Sequence, residues 1–188
     1  LAFPHDSRFN MGHLWEASTE TGSLARAIAK AEQAPALVID QAYTAGLLHD
    51  AGILVFAANA RERYNAVLSA AHDKNLPLWE VERQEFGATH ADVGAYLLGL
   101  WGLGDPIVEA VAFHHHPSDC VGNTFSPLTA VHVANVLQQE LSQQATGDVP
   151  SQIDSTYLDR LHMTDRLPHW REVAGTIQRA VEKERAHG

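Results

Sequence analysis

The sequence predicts an all-helical protein of one domain, and three observations support this. Its 188 residues are enough to bury a substantial core and few enough for a single domain. Apolar residues make up 45% of the chain and charged residues 19%, a balance typical of globular and not of disordered proteins. Apolar residues also recur at helical spacing through most of the chain, without an alternating strand pattern of any length.

The predicted helices follow one another between breaks that contain Pro, Gly or polar residues. After an irregular lead-in over residues 1–10, apolar residues repeat at helical spacing from Leu14 to Ile28, and this helix should end near Pro35. Pro106 opens a helix that runs into three consecutive histidines, because Pro is favoured at a first helical position. A polar linker over residues 146–154 leads to the C-terminal helices. The other predicted helices span residues 38–58, 61–74, 78–86, 90–101, 127–144, 155–162 and 167–186.

The charge of the chain argues against two classes of partner. The formal net charge is -10, so the surface should repel duplex nucleic acid and anionic lipid unless a basic patch intervenes. The densest basic stretch, residues 179–185, is interleaved with Glu182 and Glu184. We therefore expect neither duplex nucleic acid nor a membrane as a partner.

Cysteine content and hydropathy indicate a cytoplasmic protein. Cys120 is the single cysteine, which excludes an intrachain disulfide and is consistent with a reducing compartment. No apolar run approaches the ~20 residues that span a bilayer, and the first residues lack a signal-peptide pattern. The chain starts without Met, so we expect it to be part of a longer protein.

The histidines carry the strongest functional signal. Three of the twelve histidines precede an aspartate, and two of these pairs, at His5 and His72, lie in polar surroundings that favour a solvated surface. The pair His49-Asp50 lies instead inside the apolar run 45–56. An imidazole and a carboxylate buried there must be paired, hydrogen-bonded or bound to a metal, because burying them bare is costly.

Two further groups of histidines are equally out of place on apolar helices. His90 lies on an apolar stripe, and residues 114–116 are three histidines that end an apolar helix. Each one alone is more simply a core histidine that bonds to a backbone carbonyl. Together with His49 and Asp50, they favour convergence on one polar pocket. Imidazoles and a carboxylate are the usual ligands of Zn, Fe or Mn, and a divalent ion of this kind (Fe, Mn, Zn or Mg) is the expected cofactor.

Four segments resemble a known family. Residues 45–52 (Ala-Gly-Leu-Leu-His-Asp-Ala-Gly) resemble the His-Asp signature of the HD superfamily. Three more pieces resemble its HDOD branch, in matching order over about residues 9–165: Leu14-Trp15, residues 85–94 (Glu-Phe-Gly-Ala-Thr-His-Ala-Asp-Val-Gly), and Trp101-Gly-Leu followed by His115-His116-Pro117. The resemblance implies an all-α, HD-superfamily helical bundle from a bacterial signalling protein.

The resemblance also carries expectations about domains and partners. It implies one HDOD-like domain over residues 1–188 that lacks the helical N-terminal part usual in this family. HDOD domains are often attached to receiver, GGDEF or EAL modules, so signalling proteins of these kinds are the expected partners, in the same chain or in trans. A homodimer is a further expectation.

The resemblance supplies a set of metal ligands and shows where this chain departs from it. His49 and Asp50 match the His-Asp pair, and His90, His115 and His116 match the additional histidines of the related HD-GYP phosphohydrolases. The first-helix histidine of catalytic HD proteins falls at Ala17, their late aspartate at Asn135, and a lysine of the HD-GYP branch at Ile53.

These departures weaken the expected site. Ala17 offers no donor atom, Asn135 is a weak ligand because it lacks a charge, and Ile53 cannot neutralise a phosphate. Three functions stay open. The leading one is a catalytically inactive, non-hydrolytic signalling module that works by protein or ligand contacts. The second is a metal-dependent phosphohydrolase or phosphodiesterase acting on a nucleotide or cyclic dinucleotide. The third is a sensor that binds a nucleotide or metal without turnover.

Overall fold

The computed structural model describes residues 9–142 and 149–185, and over these residues it is helical without a β-strand. This confirms the predicted all-α class. The helices are α1 (Met11–Ala31), α2 (Ala36–Leu48), α3 (Ala51–Asn59), α4 (Arg61–Lys74), α5 (Leu78–Phe86), α6 (His90–Leu100), α7 (Asp105–Phe113), α8 (Pro127–Leu141), α9 (Ser155–Arg160) and α10 (Leu167–Arg185), with 3-10 turns at Pro117–Asp119 and Thr164–Arg166.

One predicted helix is wrong. The expected helix over residues 38–58 is two helices, α2 and α3, separated at His49 and Asp50. The reason lies in tertiary packing, since α3 crosses α6 with backbone against backbone: a Cβ atom added to Gly52 would collide with the carbonyl oxygen of His90. The chain turns at Asp50 (φ -100°, ψ 13°) to reach this position. The break leaves the His-Asp pair at the junction of two helices and not on the face of one.

Helix α8 lies at the centre of the larger core. All twelve residues from Pro127 to Gln138 are buried, as expected for a helix that is enclosed on every side. It packs against α1, α2, α7 and α10. Helices α1 and α2 approach closely, since a Cβ atom on Gly46 would lie 2.8 Å from the Cα atom of Gly22. Residues on α8 are therefore interior, which includes Asn135.

A second apolar cluster holds α3, α4 and α5 together. The rings of Phe56 and Phe86 stack with centroids 4.6 Å apart, and Phe56 also stacks on Tyr64. Phe9 is buried in the same cluster. Asn10 follows and caps α1, its side chain accepting a hydrogen bond of 2.9 Å from the amide of Gly12. Residues 1–8 of the predicted lead-in lie outside the described residues.

The other helix ends differ from prediction by a few residues. Helix α8 ends at Leu141, three residues before the expected end, and α9 ends at Arg160, two residues early. Residues 143–148, which include the start of the predicted linker, and Ala186 lie outside the described residues. Of the helices that the structure describes, none combines the length and the hydropathy needed to cross a membrane.

Candidate metal centre

The ends of four helices bring four histidines and one aspartate together. His49 directly follows the last residue of α2, and Asp50 directly precedes α3. His90 is the first residue of α6. His114 directly follows the last residue of α7, and His115 comes next. The sequence places these residues at helix ends because Thr89 and Asp92 form a capping box at the start of α6 and Pro117 follows the end of α7.

The Asp50 carboxylate lies at the centre of the group. Its two oxygens are 3.2 Å from Nε2 of His49 and 3.3 Å from Nε2 of His90. Nε2 of His114 is 3.8 Å from the same carboxylate. Burial by itself would raise the pKa of Asp50, but the imidazoles of His49 and His90 outweigh it and hold the pKa well below its usual range. Asp50 is therefore an ionised carboxylate surrounded by nitrogen atoms.

The opposite nitrogen of each of these rings bonds to an outer group. Nδ1 of His49 lies 2.8 Å from the carbonyl oxygen of Gly46, and Nδ1 of His114 lies 2.8 Å from that of Val111. A carbonyl oxygen only accepts, so each Nδ1 carries a proton and each Nε2 is the nitrogen turned toward Asp50. Metal-binding histidines in proteins are held in this way by an outer acceptor.

Glu82 on α5 holds His90 in the same orientation. It is fully buried and lies 2.7 Å from both the amide nitrogen and Nδ1 of His90. The Tyr64 hydroxyl donates a further bond of 2.8 Å to it. Burial would lower the pKa of His90, but the carboxylates of Glu82 and Asp50 raise it to about 10.

Sequence reasoning missed Glu82, although a signal was present. Leu78, Glu82 and Phe86 recur at i, i+4 and i+8 and therefore share one face of α5. A carboxylate at the centre of an apolar face requires a buried partner.

His115 completes the cluster. Its Nε2 lies 2.9 Å from Nε2 of His90, and its Nδ1 lies 3.4 Å from the hydroxyl oxygen of Ser151. Burial and the neighbouring imidazole of His114 lower the pKa of His115 well below its usual value. The ring is therefore neutral and has a lone pair to offer.

The surroundings of Nε2 of His114 show that the site fits a metal ion. Its Nε2 is buried and has no hydrogen-bond partner among the described residues. Burial, followed by the neighbouring His49, lowers the pKa of His114 well below its usual value, so the ring is neutral. A buried lone pair without a donor costs about 1–3 kcal/mol, which a bound cation would recover. The sequence analysis placed the whole triplet in the predicted pocket, but the ligand set implied by the resemblance contained His115 and His116 and not His114.

Two groups of donor atoms among the described residues are close enough to hold an ion. One contains His90, His114 and His115, and the other His49, Asp50 and His114; within each group the donor atoms lie within 4.8 Å of one another. His116 belongs to neither. Its ring packs edge-on against Trp79 with centroids 4.3 Å apart. The structure thus brings four of the predicted residues, His49, Asp50, His90 and His115, together in one cluster and keeps His116 apart from it.

A cavity of about 490 Å³ adjoins the cluster, and the two positions at which this chain departs from the ligand set of catalytic HD proteins lie on its wall. Ala17 and Asn135 both line this cavity. The side-chain oxygen of Asn135 accepts a hydrogen bond of 3.1 Å from Gln139, so the amide is engaged within α8. At the two positions where catalytic HD proteins have a histidine and an aspartate, this chain has Ala17 and Asn135, and both face the open cavity.

The helical fold is that of a known family. The HDOD domain model matches residues 2–117, well over half of the chain. The chain belongs to the HDOD domain family. The match includes every member of the histidine cluster and stops before α8, which carries Asn135.

Relatives of this HDOD domain are longer proteins. An "Uncharacterized protein" of Treponema pallidum (strain Nichols) is 29% identical over 174 residues, which are 91% of this chain and 32% of the relative. The chain thus spans about a third of that protein. An HDOD domain protein with unknown function from Geobacter sulfurreducens has the same fold, with a TM-score of 0.73 at 21% identity over 95% of this chain and 62% of that one.

Two further solved structures share the HDOD fold. A "Putative phosphohydrolase" from Shewanella amazonensis SB2B gives a TM-score of 0.68 at 18% identity and covers 94% of this chain and 63% of its own. A "Putative signal transduction protein" from Marinobacter aquaeolei VT8 gives 0.66 at 19% identity and covers 94% and 41%. At these identities the likeness concerns the fold alone.

Proposed function

We propose that this HDOD domain is a metal-binding signalling module that recognises a ligand at its metal centre without hydrolysing it. The observation that carries the proposal is the convergence of imidazole Nε2 atoms on the Asp50 carboxylate, with each opposite Nδ1 bonded to an outer acceptor. A transition-metal ion such as Zn, Fe or Mn suits this nitrogen-rich set better than Mg, which prefers oxygen ligands.

The directions of the hydrogen bonds favour a cation. Nδ1 of His49 donates to Gly46, so its Nε2 is the nitrogen that faces a carboxylate oxygen 3.2 Å away. A ring nitrogen and a carboxylate oxygen at this distance need a proton or a cation between them, because two bare lone pairs would repel each other. The buried Nε2 of His114 faces the same carboxylate. One divalent ion would satisfy both rings together with Asp50 and would supply a point of attachment for a ligand.

The charge around the centre disfavours phosphoryl chemistry. A divalent ion brings two positive charges, and the carboxylates of Asp50 and the buried Glu82 balance them. Among the described residues that line the cavity there is no Lys or Arg, and Ile53 lies where a phosphate-binding lysine would be expected. Without surplus positive charge, the negative charge that a transferring phosphoryl group develops is poorly stabilised. We therefore assign the cavity to recognition.

We further propose that the module acts by contact with other signalling proteins, with receiver, GGDEF or EAL modules as the expected class and the cytoplasm as the compartment. Family membership supports this, as does the description of one structural relative as a signal transduction protein. A molecule bound at the centre would alter such a contact through the helices that carry the metal-binding residues.

Hydrolysis is the second candidate function, and one observation favours it. Asp50 is 19% exposed and opens onto the cavity, which has room for a small phosphoester and a water molecule. A metal-bound water at this position would be the nucleophile of a phosphohydrolase.

Metal analysis together with an activity assay separates the two candidates. Purified protein should contain one equivalent of a transition metal, which His114→Ala should remove; the matched control His72→Ala, at an exposed position on α4, should retain it. Metal-loaded protein should not hydrolyse bis-p-nitrophenyl phosphate. Hydrolysis that Asp50→Ala abolishes would establish the second function, and failure to bind Zn, Fe or Mn would overturn both.

A further inference from the structure

The segment 149–151 forms one wall of the cavity beside the histidine cluster. Val149, Pro150 and Ser151 all line it. The segment has no regular secondary structure, so its position depends on individual hydrogen bonds. The amide of Ser151 donates one of 2.6 Å to Oε1 of Gln139 on α8.

The orientation of the Gln139 amide is set from its other end. Its Nε2 donates a bond of 3.1 Å to Oδ1 of Asn135, one turn earlier on the same helix. Asn135 is only 3% exposed and belongs to the buried length of α8. The Gln139 amide is thus held with its nitrogen toward Asn135 and its oxygen toward Ser151. This gives the Asn at the expected aspartate position a role other than metal binding.

The same serine reaches the histidine cluster. The hydroxyl oxygen of Ser151 lies 3.4 Å from Nδ1 of His115, whose Nε2 is 2.9 Å from that of His90. The other rings bond at Nδ1 to a group on their own helix or on a neighbouring helix. His115 relies on a residue 36 positions away in an irregular segment. Its ring is therefore the one whose orientation depends on how that segment is held.

We propose that Gln139 and Ser151 are positioning residues of the metal centre. Gln139 ties the segment 149–151 to α8, and Ser151 accepts the Nδ1 proton of His115 and turns Nε2 of that ring toward the other ligands. The inference rests on the proposed metal-binding function and adds residues outside the segment that the HDOD model matches. Outer partners of this kind typically change metal affinity by 10–100-fold.

Titration with Co²⁺, followed by its visible absorption spectrum, tests the proposal on the full chain. Ser151→Ala and Gln139→Met should each weaken Co²⁺ binding by about tenfold and shift the ligand-field bands, because His115 is no longer held. Ser151→Thr keeps the hydroxyl and should restore both readouts. The double variant Ser151→Ala/Gln139→Met should bind no more weakly than the weaker single variant, because both residues act through one chain of bonds.

Matched controls distinguish a loss of positioning at His115 from a general loss of structure. Gln152→Met and Ser155→Ala alter exposed residues next to the segment and should leave Co²⁺ affinity and spectrum unchanged. Circular dichroism confirms that each variant is folded. Co²⁺ binding that stays within twofold of wild type in both single variants, or effects that simply add, would overturn the positioning role alone. A wild-type chain that does not bind Co²⁺ would instead overturn the metal function on which the proposal rests.

Discussion

Replacing Glu82 with Gln tests the buried pair that orients His90. The pKa of His90 is raised from 6.5 to about 10, which corresponds to roughly 4 kcal/mol of folding stability at pH 7 in the metal-free protein. Both Glu82 and Asp50 raise this pKa and so share the stabilisation. Glu82 supplies the larger share, because its carboxylate lies 2.7 Å from Nδ1 of His90, whereas that of Asp50 lies 3.3 Å from Nε2. We therefore expect Glu82→Gln to lower the free energy of unfolding by about 2–3 kcal/mol at pH 7.

The pH dependence carries the sharper test. Because the pKa of His90 is raised in the folded state, its stabilisation is fully present below pH 6.5 and is lost as the pH rises toward 10. Urea denaturation with EDTA present should show the difference between wild type and Glu82→Gln shrinking from pH 6.5 to pH 10. Tyr64→Phe removes the hydroxyl bond to Glu82 and should cost about 1 kcal/mol with little pH dependence. A Glu82→Gln effect that is equally large at pH 6.5 and pH 10 would refute the reasoning.

Three further results are expected. Zn²⁺ affinity, measured by competition, should rise close to tenfold per pH unit between pH 7 and 9, because the metal must displace a proton from His90. His132 is buried with a lowered pKa and accepts a bond from the Asp154 amide, so the stability advantage of wild type over His132→Gln should shrink as the pH falls below 6.5. Gly52→Ala should unfold the protein or cost more than about 4 kcal/mol in denaturation, whereas Gly99→Ala, in open space on α6, should stabilise it by up to about 1 kcal/mol.

The sequence alone was enough to find the centre of the site. Imidazole and carboxylate groups inside apolar helical runs must find partners wherever the chain folds, so His49, Asp50 and His90 could be grouped before any contact was known. Helical spacing likewise determined the class of fold. Both properties depend on local composition and periodicity, which a linear pattern records.

The tertiary structure decided which groups face one another. The chain breaks at Asp50 because α3 has to cross α6 at Gly52, a contact between residues some forty positions apart. The triplet lies past the end of α7, so the path of the chain there, and not helical spacing, brings His114 and His115 inward and leaves His116 against Trp79.

The tertiary structure also decided which residues hold the rings from outside the cluster. Glu82 and Ser151 reach His90 and His115 from other elements, over separations of 8 and 36 residues. A hydrogen bond requires two atoms within about 3 Å, and periodicity within one helix carries no information on the distance to another. The sequence therefore determined that a buried histidine–aspartate centre exists, and only the packing of the helices decided which rings form it and what holds them.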